Sequence, residues 1–276
     1  MDAVTSVALG LIQGLTEFLP ISSSGHLVLG QHLFGIKEPD LLFDAALHVA
    51  TLFAVVIVFR HEVVKVLKEF LNALSRTLRT PSDCRLLFGT AAWKIFLGTL
   101  PAVFTGLTFQ TEIEELFSSP KLVCLSLIIT GTLLWLTRYA GARGTVRSHD
   151  TSKEIPSVTW QKALIVGIAQ ACALAPGISR SGATIAVALL SGCNREDAGK
   201  FSFLLLIPAA TGAFVLQVLG ASDVTASATP LLLGSSVAFL SGYGALLLLL
   251  MLVKKGNLHH FAWYCWALGF AGLLLM

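Results

Sequence analysis

Charge is what this 276-residue chain has least of: Asp, Glu, Lys and Arg make up 13% of it, about half the share of an ordinary soluble domain. Hydrophobic residues make up 55%, and mean hydropathy is +0.78. That balance excludes a water-soluble globule and places the chain in a membrane, with several spans. The formal net charge of +3 is too small for a nucleic-acid binder. Cysteine is sparse, odd in number and widely spaced (Cys84, Cys124, Cys172, Cys193, Cys265), with no CxxC pair. Neither a disulfide framework nor a zinc site is expected. No basic segment precedes the first apolar run, whose first charge is Asp2, so the opening residues read as mature structure rather than a cleaved signal.

In place of charge there are apolar runs. Six are unbroken, at 43–59, 91–109, 122–137, 201–219, 231–253 and 261–276, each near the ~17–25 residues a helix needs to cross a bilayer. Two more, at 3–35 and 162–193, are interrupted by Pro20-Ile-Ser-Ser-Ser-Gly25 and by Pro176-Gly-Ile-Ser-Arg-Ser-Gly182. Basic residues gather in the loop 60–90 (Arg60, Lys65, Lys68, Arg76, Arg79, Arg85), in 138–162 (Arg138, Arg143, Arg147, Lys153, Lys162) and at Lys254 and Lys255. The loop 110–121 instead holds Glu112, Glu114 and Glu115 with only Lys121, and 220–230 has no basic residue. The positive-inside rule puts the first group in the cytoplasm and the second outside, and the assignment alternates through all six runs. Each interrupted region must then begin and end on one side, 1–42 outside and 162–200 inside. Each reads as a hairpin that enters the membrane and returns.

The two hairpins are related. Offset by 157 residues, GLIQGLTEFLPISSSGHLVLGQHLFG (10–35) falls on GIAQACALAPGISRSGATIAVALLSG (167–192), with Gln13 on Gln170, Ser22 on Ser179, Ser24 on Ser181 and Gly25 on Gly182. The expected fold is an all-α polytopic membrane protein, a single membrane domain over 1–276. It is an inverted repeat of two halves, each a re-entrant helical hairpin plus three transmembrane helices. Repeat 1 covers about 1–137, a basic linker about 138–160, and repeat 2 about 161–276.

Irregular backbone at membrane depth is tolerated where protein buries it or where it lines a wet cavity. After each turn a helix returns, so its N-terminal N–H groups point at the turn and favour an anion. Ser22, Ser24, Ser179, Ser181 and Thr184 can add hydroxyl donors, and Gly25, Gly177 and Gly182 allow close backbone approach. Arg180 adds a permanent charge and a fork matched to phosphate oxygens. Gln13 and Glu17 share a helix face at i, i+4 and offer the hard oxygens that Mg²⁺ or Ca²⁺ takes. His26 can act as general acid or base, and Ser23 or Ser24 as nucleophile. Bland readings compete. Serines in membrane helices often bond backbone carbonyls, and a lone histidine is as often a packing residue. Asp44 and His48, also i, i+4, can extend the site or simply pair with and solvate each other, and the second reading is slightly favoured. Glu112, Glu114 and Glu115 read as a solvated face of an outer loop. His259 and His260 fall in a short cytoplasmic turn with no metal role. Glu17 and Arg180 stand apart, because charge at this depth is expensive and usually functional.

QGLTEFLPISSSGHL (13–27) and PGISRSGAT (176–184) resemble the two signatures of bacterial undecaprenyl-diphosphate phosphatase, the bacitracin-resistance type. One is an (E/Q)xxxE segment running into a Ser-Gly-His turn, the other a PGxSRSGxT turn. The similarity extends to FDAALHVATLFAVVIVFR (43–60) and FSFLLLIPAATGA (201–213). The resemblance implies removal of one phosphate from a C55 polyprenyl diphosphate, giving the monophosphate carrier reused in cell-wall synthesis. It implies dependence on Mg²⁺ or Ca²⁺ and a site open to the outer face of the cytoplasmic membrane. By position it implies roles for Gln13, Glu17, Ser23, His26 and Arg180. Many members carry Glu where this chain has Gln13, which suits a ligand or positioning role but not a base. Whether a serine or a metal-bound water attacks stays open, and a homodimer is compatible with the sequence without being required by it.

Two rivals remain. Inverted repeats with broken helices also suit a lipid-phosphate or anion transporter, although a carrier has no need for Glu17, Ser23 and His26 beside the anion. The acid-phosphatase type of lipid phosphatase has a PSGH element like SSGH here. It also needs SRx5HxxxD, and after Ser179-Arg180 the required histidine position is Ala186.

Overall fold

The computed structural model describes residues 2–36, 41–80, 84–117, 119–140, 155–220 and 228–275. Those residues form α-helices, short 3₁₀ turns and no strand, as suits a chain whose backbone polar groups must be satisfied without water. Two pairs of helices make short hairpins: α1 (Ala3–Phe18) with α2 (Ser23–Leu33), and α9 (Trp160–Cys172) with α10 (Arg180–Leu190). Six apolar rods match the six unbroken runs: α3 (Leu41–Val58), α6 (Ala91–Thr108), α8 (Pro120–Leu136), α11 (Arg195–Gly220), α12 (Ala228–Lys255) and α13 (Phe261–Leu275). Five of them, α6, α8, α11, α12 and α13, are long and apolar enough to cross a membrane unaided. The sixth, α3, qualifies together with α4 (Arg60–Arg79), from which it is bent by 74°. The remaining helices are α5 (Cys84–Phe88) and α7 (Gln110–Phe117).

Two expected loops are thus helical. Residues 60–90 hold α4 and α5, and 110–121 hold α7 with its Glu112 and Glu115. In α4, Val63, Val66, Phe70, Ala73 and Thr77 recur every three or four residues and form the inner stripe, the spacing of an amphipathic helix. The basic residues of the segment occupy the other faces and mask that period when only charge is read. Glu69 of α4 also accepts the Ala91 N–H at 3.2 Å, at the first turn of α6. Of the basic linker, residues 141–154 lie outside the described residues, as do 221–227 of the expected outer linker and the Glu114 side chain. The linker's far end is pinned. The Ser157 N–H donates to Asp197 at 2.7 Å, and the buried Lys94 ammonium donates to the Ile155 carbonyl at 3.3 Å.

The helices pack through glycine. Along the seam of α1 and α12, Gly10 meets the Gly234 carbonyl so closely that a Cβ has no room. Along the seam of α9 and α6, Gly167 meets the Gly98 carbonyl in the same way. Small residues are what allow membrane helices such contact, since no hydrophobic drive separates helix from lipid. The main buried cluster joins Phe18 of α1 to Val55 of α3, Phe203 and Leu205 of α11 and Leu246 of α12, with Phe59 beside them. The Phe203 ring lies 5.9 Å from that of Phe18 and 5.7 Å from that of Phe59. This cluster sits directly behind the first hairpin turn and fixes where α1 ends.

Candidate active site

Pro20 cannot continue α1, and the chain turns through Leu19–Ser22. Among the described residues Ser22 is the one non-glycine with positive φ, at 69°, a conformation that costs of order 1–3 kcal/mol. It caps α2, its hydroxyl accepting the Gly25 N–H at 3.3 Å. The second turn repeats the device. Ser179 caps α10, its hydroxyl accepting the Gly182 N–H at 3.1 Å. Ser22 and Ser24 hydroxyls lie 3.3 Å apart, Ser179 and Ser181 hydroxyls 3.2 Å apart. Gly177 turns at φ 91° where a Cβ would strike the Val123 carbonyl, so only glycine fits there.

The two turns touch. A Cβ on Gly25 would lie 3.3 Å from the Gly177 Cα, and one on Gly182 would lie 3.2 Å from the Pro20 Cβ. Across this junction Glu17 binds both hairpins. Its Oε1 accepts Arg180 Nη2 at 2.7 Å. Its Oε2 accepts the Ser23 hydroxyl at 2.6 Å and the Gln13 amide nitrogen at 3.0 Å. His48 of α3 brings Nδ1 to 3.4 Å from the same oxygen and 2.8 Å from the Gln13 nitrogen. The Glu17 side chain is 8% exposed and Arg180 19%, while His48 is 42% exposed and marks the open side. Ser23 and Arg180 occupy corresponding positions at the 157-residue offset, each the first residue of its returning helix. They grip opposite oxygens of one carboxylate. The first turns of two helices, a guanidinium and a hydroxyl therefore converge where an anion is favoured.

That junction is built from the stretches 13–27 and 176–184, and the whole chain around them has known relatives. Residues 6–271 match the family described as Bacitracin resistance protein BacA. The chain belongs to the BacA family. It is 46% identical to an undecaprenyl-diphosphatase of Desulfatibacillum aliphaticivorans, over 95% of each chain. It is 42% identical to an undecaprenyl-diphosphatase of Desulforapulum autotrophicum, over 99% of this chain and 98% of the relative. It is 40% identical to one from Carboxydothermus hydrogenoformans, over 100% and 98%.

In this BacA-family chain the other expected site residues fall in two groups. Ser24, like Ser23, is partly exposed beside the junction. Ser22, Ser179, Ser181 and Thr184 are buried, and their hydroxyls meet protein partners. Thr184 donates to the Arg180 carbonyl at 2.8 Å and meets Ser202 at 2.5 Å. His26 turns from Glu17 toward α13. Its Nδ1–H donates to the Ser22 carbonyl at 2.7 Å, and Nε2 lies 2.8 Å from the Tyr264 hydroxyl, with the rings stacked 8° from parallel. A carbonyl only accepts, so Nδ1 carries the proton and Nε2 of the neutral ring is the acceptor.

Two participants, Thr130 and Tyr264, were not read from the sequence, and a third, His48, was read only as one of two alternatives. Thr130 of α8 accepts the Ser179 N–H at 3.0 Å and donates to the Gly177 carbonyl at 2.9 Å, holding the second turn. Tyr264 backs His26. His48, for which both a place in the site and a pairing with Asp44 were open, joins Glu17, and Asp44 accepts the Gln31 amide at 2.9 and 3.0 Å. Among the described residues no three His, Cys, Asp or Glu side chains gather as a metal site. Yet the Gln13 Oε1 is buried without a hydrogen-bond partner, on an amide whose nitrogen lies against the Glu17 carboxylate. An orphaned hard oxygen on an amide that touches a carboxylate fits a divalent cation, since amide nitrogen and oxygen exchange places on a half-turn.

Proposed function

We propose that this chain is an integral-membrane phosphatase that hydrolyses undecaprenyl diphosphate, or a closely similar polyprenyl diphosphate, to the monophosphate and inorganic phosphate. It thereby recycles the lipid carrier for cell-wall synthesis and confers bacitracin resistance. The observation that carries the reading is Glu17, held at once by Arg180 and Ser23 where two helix N-termini meet. Membership of the family and the names of the relatives support the same activity.

In the resting site Glu17 neutralises Arg180. A diphosphate arriving at the junction competes for the guanidinium, which matches its oxygens better than one carboxylate does. Drawing Arg180 to the phosphate frees Glu17 to act on Ser23. The Ser23 proton passes along the 2.6 Å hydrogen bond to the carboxylate. The Ser23 oxygen then bonds the terminal phosphorus, and the bridging P–O bond breaks to release the lipid monophosphate. Water then hydrolyses the phosphoserine: it bonds phosphorus, the bond to Ser23 breaks, Glu17 returns its proton to Ser23 and the proton of the attacking water is lost to solvent. His26, whose Nε2 meets Tyr264, braces the first turn through the Ser22 carbonyl. Gln13 and Glu17 would hold Mg²⁺ or Ca²⁺, which supplies neutralisation of the diphosphate charge. Ser24, Gly25, Gly177, Gly182 and the caps Ser22 and Ser179 shape the anion cradle around the phosphates. Ser181 and Thr184 brace the second turn behind it.

The same proposal includes the inverted repeat, with each hairpin re-entering the membrane, and the boundaries at 137 and 161. Its support is the 157-residue offset, under which the caps Ser22 and Ser179 do one job, and the paired seams. Gly10 of the first hairpin meets Gly234 of the second half, and its counterpart Gly167 meets Gly98 of the first. Charge placement supports a cytoplasmic membrane location with α4 inside and the site opening outward. The same scaffold suits transport of a lipid phosphate, and accumulation of labelled lipid across liposomes without phosphate release would favour that second reading.

The decisive test is phosphate release from a polyprenyl diphosphate by purified protein in detergent, with and without Mg²⁺ or Ca²⁺. Arg180→Lys keeps the charge opposite Glu17 but loses the fork, so turnover should fall by about 10²–10³-fold, the usual effect of removing one oxyanion donor. Wild-type turnover in Arg180→Lys and Arg180→Ala alike would overturn the site.

A further inference from the structure

We infer that His48 is a third ligand to the divalent cation, closing a three-atom face with Gln13 Oε1 and Glu17 Oε2. We further infer that its imidazole moves the preference of the site from Ca²⁺ toward transition-series divalent ions. The inference rests on the metal reading of Gln13 and Glu17 above.

Three terminal atoms of three side chains define the face. The Gln13 amide nitrogen lies 3.0 Å from Glu17 Oε2 and 2.8 Å from His48 Nδ1, and those two acceptors lie 3.4 Å apart. Adjacent ligands around an octahedral ion bound at about 2.1 Å are separated by about 3 Å, so these edges are those of a coordination face. Two lone pairs, one from a carboxylate and one from an imidazole, point at a single spot. In the orientation observed, the amide NH₂ stands at the corner between them, a polar surrogate for positive charge. The same amide leaves Oε1 buried and without a partner although the residue is 0% exposed. Rotating the amide by half a turn exchanges its nitrogen and oxygen, which are assigned from hydrogen bonding alone. The carbonyl then faces a carboxylate oxygen, an arrangement that requires a cation between them.

The surroundings fit. Arg180 holds Glu17 Oε1, so the face is built on Oε2, the oxygen that also accepts the Ser23 hydroxyl. His48 is more exposed than Arg180 or Gln13, so a cation enters on its side. A face made of oxygens alone suits Mg²⁺, Ca²⁺ and Mn²⁺; one imidazole nitrogen in three biases it toward later transition ions such as Ni²⁺ and Zn²⁺. The competing account is that His48 is protonated and simply pairs with Glu17.

The test uses Mn²⁺ as the probe, titrated into the detergent-purified full chain and read by electron-spin-echo modulation from the ¹⁴N of a coordinated imidazole. Wild type should bind Mn²⁺ with nitrogen modulation, and Zn²⁺ should displace it more readily than Ca²⁺ does. His48→Gln keeps the side chain's bulk and hydrogen bonding but has no imidazole, and His48→Ala lacks both. Both should lose the modulation and bind Mn²⁺ at least about tenfold more weakly. His32→Ala, on the exposed end of α2, should retain it. Thermal unfolding of each variant separates lost ligation from lost fold. Mn²⁺ bound to wild type without nitrogen modulation, or modulation that survives in folded His48→Gln, overturns the His48 ligand and leaves the Gln13–Glu17 reading standing. Failure of wild type to bind Mn²⁺, Mg²⁺ or Ca²⁺ at all overturns both.

Discussion

Glu17 meets Arg180, Ser23, Gln13 and His48 with only 8% of its side chain exposed. Removing one member of such a buried pair leaves the other charge uncompensated and typically costs about 3–5 kcal/mol. Glu17→Gln and Arg180→Gln should therefore each lower the unfolding temperature. The double variant should recover part of the loss, because no bare charge remains. Thermal unfolding in one detergent checks this, and strictly additive losses would show that the pair is not coupled. Ser23→Ala should abolish phosphate release at nearly wild-type stability, since it removes one hydroxyl and no charge; sustained release would point to water as the attacking group. Glu17 and Arg180 were legible in the sequence because a charge inside an apolar run demands a reason. His48 was legible only as one of two alternatives. It sits in an unbroken run four residues from Asp44, which offers a local partner, and only the packing of α3 beside α1 turns it to Glu17. Thr130 and Tyr264 were hidden for a similar reason. A hydroxyl inside a regular span disturbs nothing in the pattern.

At the scale of elements, the seams between α1 and α12 and between α9 and α6 leave no room for a side chain at Gly10 or Gly167. The obstacle is backbone carbonyl, which cannot move aside as a flexible side chain would. Gly10→Leu and Gly167→Leu should each destabilise by about 1–3 kcal/mol or more. Gly212→Leu, with open space around the same position, should be near neutral. Equal melting temperatures for all three would contradict the seams. The six rods were legible from length and hydropathy, because lipid selects long apolar helices and little else. The hairpins were legible from their breaks. Helix α4 was missed since its period of three and four lies beneath a scatter of lysines and arginines. Its 74° bend from α3 lays an amphipathic rod across the end of a span. In a background without native cysteines, Lys68→Cys should react with a membrane-impermeant thiol reagent only when the cytoplasmic face is open. Labelling from outside intact cells would reverse the proposed orientation.

In the whole molecule each hairpin leans on the opposite half, so neither half holds a complete site. Residues 1–140 and 141–276 expressed apart should release no phosphate, and expressed together they should restore release, since the break falls in the linker. Activity from either half alone would refute a shared site. The contact between Glu17 and Arg180 spans 163 residues of sequence, and that separation has a meaning in time as well as space. A ribosome adds about 5–20 residues per second, so the carboxylate precedes its guanidinium by roughly 8–33 s. For that interval the nascent first half carries the Glu17 charge without Arg180 to meet it, in surroundings that penalise bare charge. The ion pair is thus a delayed closure: the first half of the chain reaches its resting state only when the second hairpin has been made and has arrived beside it.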